Sequence, residues 1–212
     1  MQDAKAPRYE EDFYSWSLDQ ANRLRQLQMR VGNDSQGVDF ENVIEEVEDL
    51  SGQVRRILTG HIRQVITHMG AIAYTHPDRA ATHISHWLRE IEVFRSNIID
   101  TLDENPGLKG QLDQLCNEQW RRSISQTVQK VQEVGELSNA QERELRERIN
   151  QESPPSAEEI LGFDWQLHEQ RSDKTIDDYF KEDSDAPRFP VFLHDALRRI
   201  HRLAQKGDPS RV

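Results

Sequence analysis

One amphipathic stripe, spread over residues 38–74, constrains the fold of this chain more than any other feature. Apolar side chains recur there at alternating steps of four and three, which is the spacing of one face of an α-helix. His61 and His68 fill two positions of the stripe. We therefore expect one long helix with two inward-facing histidines, and buried polar groups of this kind need partners. The stripe consists of Phe40, Ile44, Val47, Ser51, Val54, Leu58, His61, Val65, His68 and Ile72.

Three further segments carry the same helical spacing, and the alternation typical of β-strands is nearly absent. Residues 1–152 are therefore predicted to form an all-α domain, an antiparallel helical bundle of four main helices plus a short helix that Ser138 and Gln141 cap. Gly60 and Gly70 each weaken the second helix by roughly 1 kcal/mol, so they predict a kink or a close helix contact. The four main helices are expected over about residues 10–31, 38–74, 79–103 and 108–134.

The composition changes after the predicted bundle. Residues 153–186 are predicted to form a short helix, capped by Ser156 and Glu159, followed by an acidic, linker-like segment. Residues 187–212 are predicted to form a basic C-terminal helix, a helical appendage to the bundle. Residues 188–212 hold six basic and two acidic residues, or +4, and the rest of the chain carries −15. The apolar positions of this last helix are Leu193, Leu197, Ile200 and Ala204.

Charge and cysteine content exclude several classes of protein. The net charge of −11 disfavours binding to nucleic acids or anionic membranes, except through the basic C-terminal helix. Cys116 is the only cysteine, so no disulfide forms within one chain, and a reducing, cytoplasmic setting is expected. The first eleven residues lack the apolar run of a signal peptide. No window approaches the ~20 apolar residues of a membrane span.

The histidines suggest a divalent metal site between helices, with His61, His68, His86 and Glu46 as candidate ligands. Imidazole and carboxylate groups together suit zinc, iron or manganese, and helical bundles hold such ions between facing helices. His61 and His68 are seven residues apart, hence roughly 10 Å along one helix axis, so ligands from other helices are required. The alternative is that the histidines are core residues that hydrogen-bond to Glu46, Asp49 or a backbone carbonyl.

A row of acid and amide side chains lies beside the apolar stripe and supplies candidate catalytic residues. Glu46, with Asp39 and Asn42, would perform general acid–base chemistry if burial raised the pKa of one carboxyl group. The alternative roles are structural: Asp39 caps the second helix, and Glu46 pairs with an arginine. The row consists of Asp39, Asn42, Glu46, Asp49 and Gln53, and the candidate arginines are Arg23, Arg25 and Arg63.

The C-terminal region holds two candidate partner-binding features. Ile176 stands three residues before the aromatic pair Tyr179 and Phe180, as in short peptides that bind ring-shaped sliding clamps, although Asp173 replaces the usual glutamine. The alternative is that these side chains pin the tail to the bundle. The second feature is the basic set of the last helix, which would bind an acidic partner, nucleic acid, the bundle itself or a second copy. That set consists of Arg198, Arg199 and Arg202.

Several motifs together resemble the "domain of unknown function twenty-nine" family, small helical proteins found widely in cyanobacteria and other bacteria. The resemblance covers about residues 9–165 and implies an α-helical bundle with no established activity. The chain beyond Trp165 departs from the usual family ending. The motifs are Tyr9 to Trp16, Gln20-Ala21, Leu24-Arg25, Asp39-xx-Asn42-xx-Glu45-Glu46 with Glu48, His61, His68, Trp87, Phe94-Arg95 and Asn105-Pro106-Gly107-Leu108.

These residues support two functional hypotheses. The first is a non-enzymatic protein-interaction or regulatory module, which binds a protein partner or a second copy through helix faces and the tail. It accounts for the lack of nucleophile elbows, phosphate-binding glycine loops and dinucleotide fingerprints in the sequence. The second is a metal-dependent hydrolase or nuclease with a histidine and carboxylate site between helices, which accounts for polar residues on a core stripe. Stoichiometric divalent metal in the purified protein would favour the second hypothesis.

Overall fold

A computed structural model describes residues 6–32, 34–35, 37–80 and 83–161 of the chain. Helices make up nearly all of the secondary structure in these ranges, which confirms the all-α prediction. A 3-10 helix, Pro106–Gln111, precedes α5. The α-helices are α1 (Phe13–Val31), α2 (Phe40–Tyr74), α3 (Pro77–Ala80), α4 (Ile84–Glu104), α5 (Leu112–Gly135), α6 (Asn139–Gln151) and α7 (Ala157–Leu161).

Local capping signals explain where several helices begin. The Asp12 side chain caps α1 by accepting a backbone N–H of its first turn at 2.9 Å. Ser138 and Gln141 form the predicted capping box of α6. The same reciprocal pattern begins α7, where the Ser156 N–H donates to Glu159 at 2.8 Å and the Glu159 N–H donates to the Ser156 hydroxyl at 3.1 Å. These boundaries follow from contacts three residues apart, so the sequence predicts them.

The start of α2 differs from the predicted start. Residues 38–39, predicted to be helical, form the short strand β2 (Val38–Asp39), which pairs antiparallel with β1 (Asp34–Ser35). Gly37 lies between them at φ +77°, a conformation that favours glycine. The helix begins only at Phe40 because the Asp39 carboxylate accepts the Asn42 N–H at 3.3 Å. Asp39 therefore caps α2, as one of the two sequence interpretations expects.

The chain divides into two compact units. The first comprises residues up to 60 together with residues 97–112, and the second comprises residues 61–96 together with residues from 113 onward. α2 and α4 each contribute residues to both units. The predicted domain boundaries at 152 and 186 stay predictions, since residues 162–212 lie outside the described ranges.

In the first unit, polar side chains fix the start of α1 against a turn that lies far away in the sequence. Asn105 is buried; its Oδ1 accepts the Tyr14 N–H at 3.0 Å, and its Nδ2 donates to a carbonyl of α4 at 2.9 Å. Asp12 also accepts the Gly107 N–H at 2.8 Å. A Cβ on Gly107 would lie 2.0 Å from Ser15 Oγ, so this close approach requires glycine. We call these contacts the Asp12–Asn105 clasp.

In the second unit, α2 is enclosed by other parts of the chain. Every residue from Val65 to Ala73 is buried. Gly70 packs against α5, where an added Cβ would lie 2.6 Å from Thr127 Cγ2, so the predicted close helix contact is confirmed at this glycine. A Cβ added to Gly60 would have open space around it, with no atom from another part of the chain within 4 Å. The end of the described chain is held in this unit too, because Arg95 Nε donates to the Leu161 carbonyl at 3.0 Å.

Candidate functional site

An open groove of about 430 Å³ lies between α1 and the start of α2 in the first unit. Its lining residues follow helical spacing on both walls, since residues three and four apart share one face of a helix. We call this surface the α1–α2 groove. The α1 wall consists of Arg25, Gln28 and Met29, and the α2 wall consists of Glu41, Ile44, Glu45 and Glu48.

A small apolar cluster supports the groove from below. Ile44 lines the groove but is only 5% exposed, and it belongs to a buried cluster with Ala21 and Phe40. Leu24 and Val47 are partly buried against the same cluster. Since this cluster joins α1 to α2, it fixes the spacing of the two walls.

The charged residues of the groove are mostly acidic. Arg25 and Glu48 form an ion pair that joins its two walls. Three glutamates and one arginine line the groove, which gives it a formal charge of −2. Its α2 wall belongs to an acidic stretch, because residues 38–54 contain six acidic and no basic residues. The groove therefore presents a negative field to a cationic ligand.

Exposed apolar side chains are concentrated in the segments that form the groove. Met29, on the α1 wall, is 84% exposed. Of the eight exposed large hydrophobic residues in the described ranges, five belong to α1, β2 or the start of α2. Exposed apolar residues that gather on one surface mark interaction sites. The five are Leu27, Met29, Val31, Val38 and Val43.

A second candidate region, in the second unit, contains the two histidines of the stripe. The rings of His61 and His68 both lie near the Phe94 ring, with centroids 5.8 Å and 5.9 Å from the Phe94 centroid. His68 is buried, and its Nδ1 lies 2.8 Å from the Gln64 carbonyl oxygen. Because a carbonyl only accepts, that nitrogen carries the proton. His61 is partly exposed.

Both histidines are less basic than a histidine in water. Burial lowers the pKa of His61. Burial also lowers the pKa of His68, with smaller opposing effects from the Gln64 hydrogen bond and Glu90, and smaller additional lowering from Lys130 and His86. Both shifts favour the neutral form of the ring. The Nδ1–H group of His68 donates a hydrogen bond to the Gln64 carbonyl, as the interpretation of a core histidine expects.

The side chains of the polar row beside the stripe are exposed to solvent. The row is displaced around the helix from the buried stripe, so its side chains point away from the core. Glu46 is exposed, and the acid–base hypothesis depends on a buried carboxyl group. Two of the three candidate arginines have other partners: Arg23 Nε binds Asp19 at 2.6 Å, and Arg25 binds Glu48. The exposed residues of the row are Asp39, Asn42, Glu46, Asp49 and Gln53.

The candidate metal ligands do not form a coordination group. Among the described residues, no set of three or more His, Cys, Asp or Glu side chains is arranged to hold a metal ion. Glu46 belongs to the first unit, whereas His61, His68 and His86 belong to the second. The His86 side chain is exposed on α4.

The remaining features are the buried cysteine, the helix lengths and the C-terminal candidate residues. Burial raises the pKa of the Cys116 thiol to about 12, so the cysteine stays protonated and packs as an apolar residue. Within the described ranges, every helix is too short or too polar to span a bilayer. The candidate partner-binding residues Ile176, Tyr179, Phe180, Arg198, Arg199 and Arg202 lie outside the described residues.

The α1–α2 groove is not predicted from the sequence. A signal was available, because Glu41, Glu45 and Glu48 recur at steps of four and three, the spacing of one helix face. Such a row is ordinarily a solvated helix face. What makes it a groove is the second wall, and the pairing of Arg25 with Glu48 joins residues 23 positions apart.

Comparisons with known proteins support the fold and leave the activity open. A family model with the description "Domain of unknown function DUF29" matches residues 8–166. The chain is also similar to an α-helical protein of unknown function from Rhodospirillum rubrum ATCC 11170, whose crystal structure was determined at 1.45 Å resolution. The two are 22% identical with a TM-score of 0.52, over 92% of this chain and 98% of the other. That likeness shows a shared fold. No curated protein matches the chain.

Proposed function

The chain belongs to the DUF29 family, and we propose that it acts as a protein-interaction module whose α1–α2 groove binds a basic amphipathic helix of a partner. The observation that carries this proposal is the composition of the groove, where a highly exposed methionine stands opposite a row of glutamates. Helix-in-groove recognition uses such a combination of apolar contacts and complementary charge.

Apolar contact would come from Met29 and from the floor at Ile44. Met29 is 84% exposed, so its thioether gains burial when a partner covers it. Methionine is unbranched and polarisable, and it adapts to apolar side chains of different shapes. Ile44 is fixed in the core below and would supply a rigid contact.

Charge would set the class of partner and its orientation. Glu41 and Glu45 are four residues apart on α2, so they present carboxylates one helical turn apart. A partner helix with Lys or Arg at the same spacing would meet both carboxylates. Rim charges of this kind act mainly on specificity and association rate. Binding is therefore expected to weaken with salt.

The test is a fluorescence anisotropy titration with a designed peptide. The probe is a labelled helix of about five turns, with Leu and Ala on one face and Lys on the other, and its sequence is unrelated to this chain. Exposed charge pairs contribute about 0.2–1 kcal/mol each. The Glu41→Gln/Glu45→Gln variant should therefore bind the probe about two- to thirtyfold more weakly. Met29→Ser should also weaken binding.

Matched controls distinguish binding at the groove from non-specific attraction of the basic probe to an acidic protein. Glu46→Gln/Asp49→Asn removes the same charge from the same helix, outside the groove lining. Val93→Ser removes an exposed apolar side chain, 56% exposed, from α4. Both controls should bind the probe like the wild type. Equal losses in the control and groove variants would show non-specific attraction, and the proposal would then fail.

A further inference from the structure

We propose that two copies of this chain form an antiparallel dimer through one side of α1, which carries a stripe of apolar residues with a glutamine at its centre. We call it the α1 stripe, and each of its members is exposed or only partly buried. At about 100° per residue, it lies roughly 130° around α1 from the residues that line the groove, so the inference does not rest on the proposed function. The α1 stripe consists of Tyr9, Phe13, Trp16, Gln20, Leu24, Leu27 and Val31.

α1 buries a different side from the one that carries the α1 stripe. The buried residues of the helix are Tyr14, Ser17 and Ala21. Within the α1 stripe, Leu27 and Val31 are 38% and 45% exposed. Tyr9, in the turn before the helix, is 54% exposed, and its ring centroid lies 5.3 Å from that of Phe13 and 4.8 Å from that of Trp16. Apolar side chains that gather on one exposed surface mark an interaction site.

The spacing of the α1 stripe is symmetric about Gln20. Its successive steps are four, three, four, four, three and four, so they read the same in both directions. A two-fold axis through Gln20 therefore places each member opposite another member of the second copy, as an isologous interface requires. Gln20 meets its own copy on the axis, and one polar position in a helix seam fixes the register. The other facing pairs are Tyr9 with Val31, Phe13 with Leu27, and Trp16 with Leu24.

Charge complementarity selects a second copy as the occupant. Residues 9–22 contain four acidic and no basic residues, whereas residues 23–33 contain three basic and no acidic residues. An antiparallel pair brings the acidic end of one copy to the basic end of the other, and a parallel pair brings like charges together. The symmetric register places Glu10 opposite Arg30 of the second copy, and both side chains are exposed. Within one chain the length of α1, about 28 Å, separates them.

The experiment is sedimentation equilibrium of the full chain over a range of concentrations. A contact between two helices is smaller than a standard interface, so a dissociation constant on the order of micromolar is expected. Leu27→Asp/Val31→Asp should weaken the dimer by about tenfold or more, because it places carboxylates against the apolar residues of the second copy. The matched control, Val38→Asp/Val43→Asp, adds the same charge at positions that are 41% and 40% exposed outside the α1 stripe. It should dimerise like the wild type.

A charge exchange tests the orientation of the two copies. Glu10→Arg and Arg30→Glu each replace two symmetry-related ion pairs by like charges, so each should weaken the dimer by about two- to thirtyfold. The double variant Glu10→Arg/Arg30→Glu restores both pairs with the charges exchanged and should dimerise like the wild type. Single variants without effect, or a double variant that stays as weak as the single ones, would overturn the antiparallel pairing.

A cysteine placed at Gln20 locates the two-fold axis. Mild oxidation of Gln20→Cys should join two copies through a disulfide, whereas Asn22→Cys, exposed on another side of α1, should give little. The natural Cys116 is buried and does not compete. Equal yields from the two cysteine variants would contradict the register. A wild type that stays monomeric well above micromolar concentrations, or equal effects of the α1 stripe variant and its control, would overturn the dimer itself.

Discussion

The two ends of α2 show how one helix serves two different purposes. From Val65 to Ala73, in the second unit, every residue is buried, whereas from Glu41 to Leu50, in the first unit, only Ile44 is. A helical segment that is buried on all sides packs against the rest of the protein core, whereas a segment that is polar on most sides can contact other molecules. The candidate function lies at the acidic, solvated end.

The largest expected effect breaks the Asp12–Asn105 clasp, which belongs to the first unit, as the solvated end of α2 does. Asn105→Ala removes the acceptor of the buried Tyr14 N–H and the donor to a carbonyl of α4. An unsatisfied buried group costs about 1–3 kcal/mol, so the free energy of unfolding should fall by about 2–3 kcal/mol in urea titrations. Asn105→Asp keeps the acceptor but places a carboxylate oxygen against the Thr101 carbonyl in a buried site, so it should lose at least as much. A loss below about 1 kcal/mol in Asn105→Ala would show that these contacts contribute little.

The next effect concerns packing at the buried end. In Gly70→Ala the new Cβ would lie 2.6 Å from Thr127 Cγ2, and overpacking typically costs 1–3 kcal/mol. A net loss of about 1–2 kcal/mol is expected, since alanine also favours the helix. Gly60→Ala, on the same helix with open space at its Cβ, should instead gain up to about 1 kcal/mol. A gain in both variants would contradict the close contact at Gly70.

These two cases show which features the sequence predicts. The α2 stripe and the capping boxes involve residues three or four apart, so helical periodicity reveals them. The Tyr14–Asn105 bond joins residues 91 positions apart, and no local pattern encodes it. The polar row lies beside the stripe along the sequence, but whether a carboxyl group there is buried depends on which other helices pack nearby, and its side chains are exposed. The groove required knowledge that α1 packs along the start of α2.

A smaller effect distinguishes a core histidine from a titrating site. Burial lowers the pKa of His68 in the folded protein. The unfolded chain therefore takes up a proton first, and stability should fall as the pH drops below about 6.5. His68→Leu should keep the fold, because the Gln64 carbonyl can still accept a hydrogen bond from the helix backbone. It should also reduce this pH dependence, because the ring that takes up the proton is gone. The control His86→Gln, at an exposed position, should retain the pH dependence of stability. An unchanged slope in His68→Leu would contradict the assignment.

The smallest expected effect concerns the ion pair across the groove. Arg25→Gln removes a partly exposed pair with Glu48, which contributes at most about 1 kcal/mol to stability. The same change makes the groove more negative, so the designed basic peptide should bind about twofold more tightly. Arg23→Gln breaks a pair within α1, outside the groove lining, and should leave peptide binding unchanged. Weaker peptide binding by Arg25→Gln would contradict the charge assignment of the groove.

The most direct test of the central claim is a map of where the designed basic peptide binds. Backbone amide chemical shifts of ¹⁵N-labelled protein should be followed during a peptide titration. The account predicts that the saturating shifts concentrate on Arg25, Gln28 and Met29 of α1 and on Glu41 to Glu48 of α2, with the buried residues from Val65 to Ala73 unchanged. Saturating shifts confined to α4, α5 or α6, with α1 and the start of α2 unaffected, would contradict it.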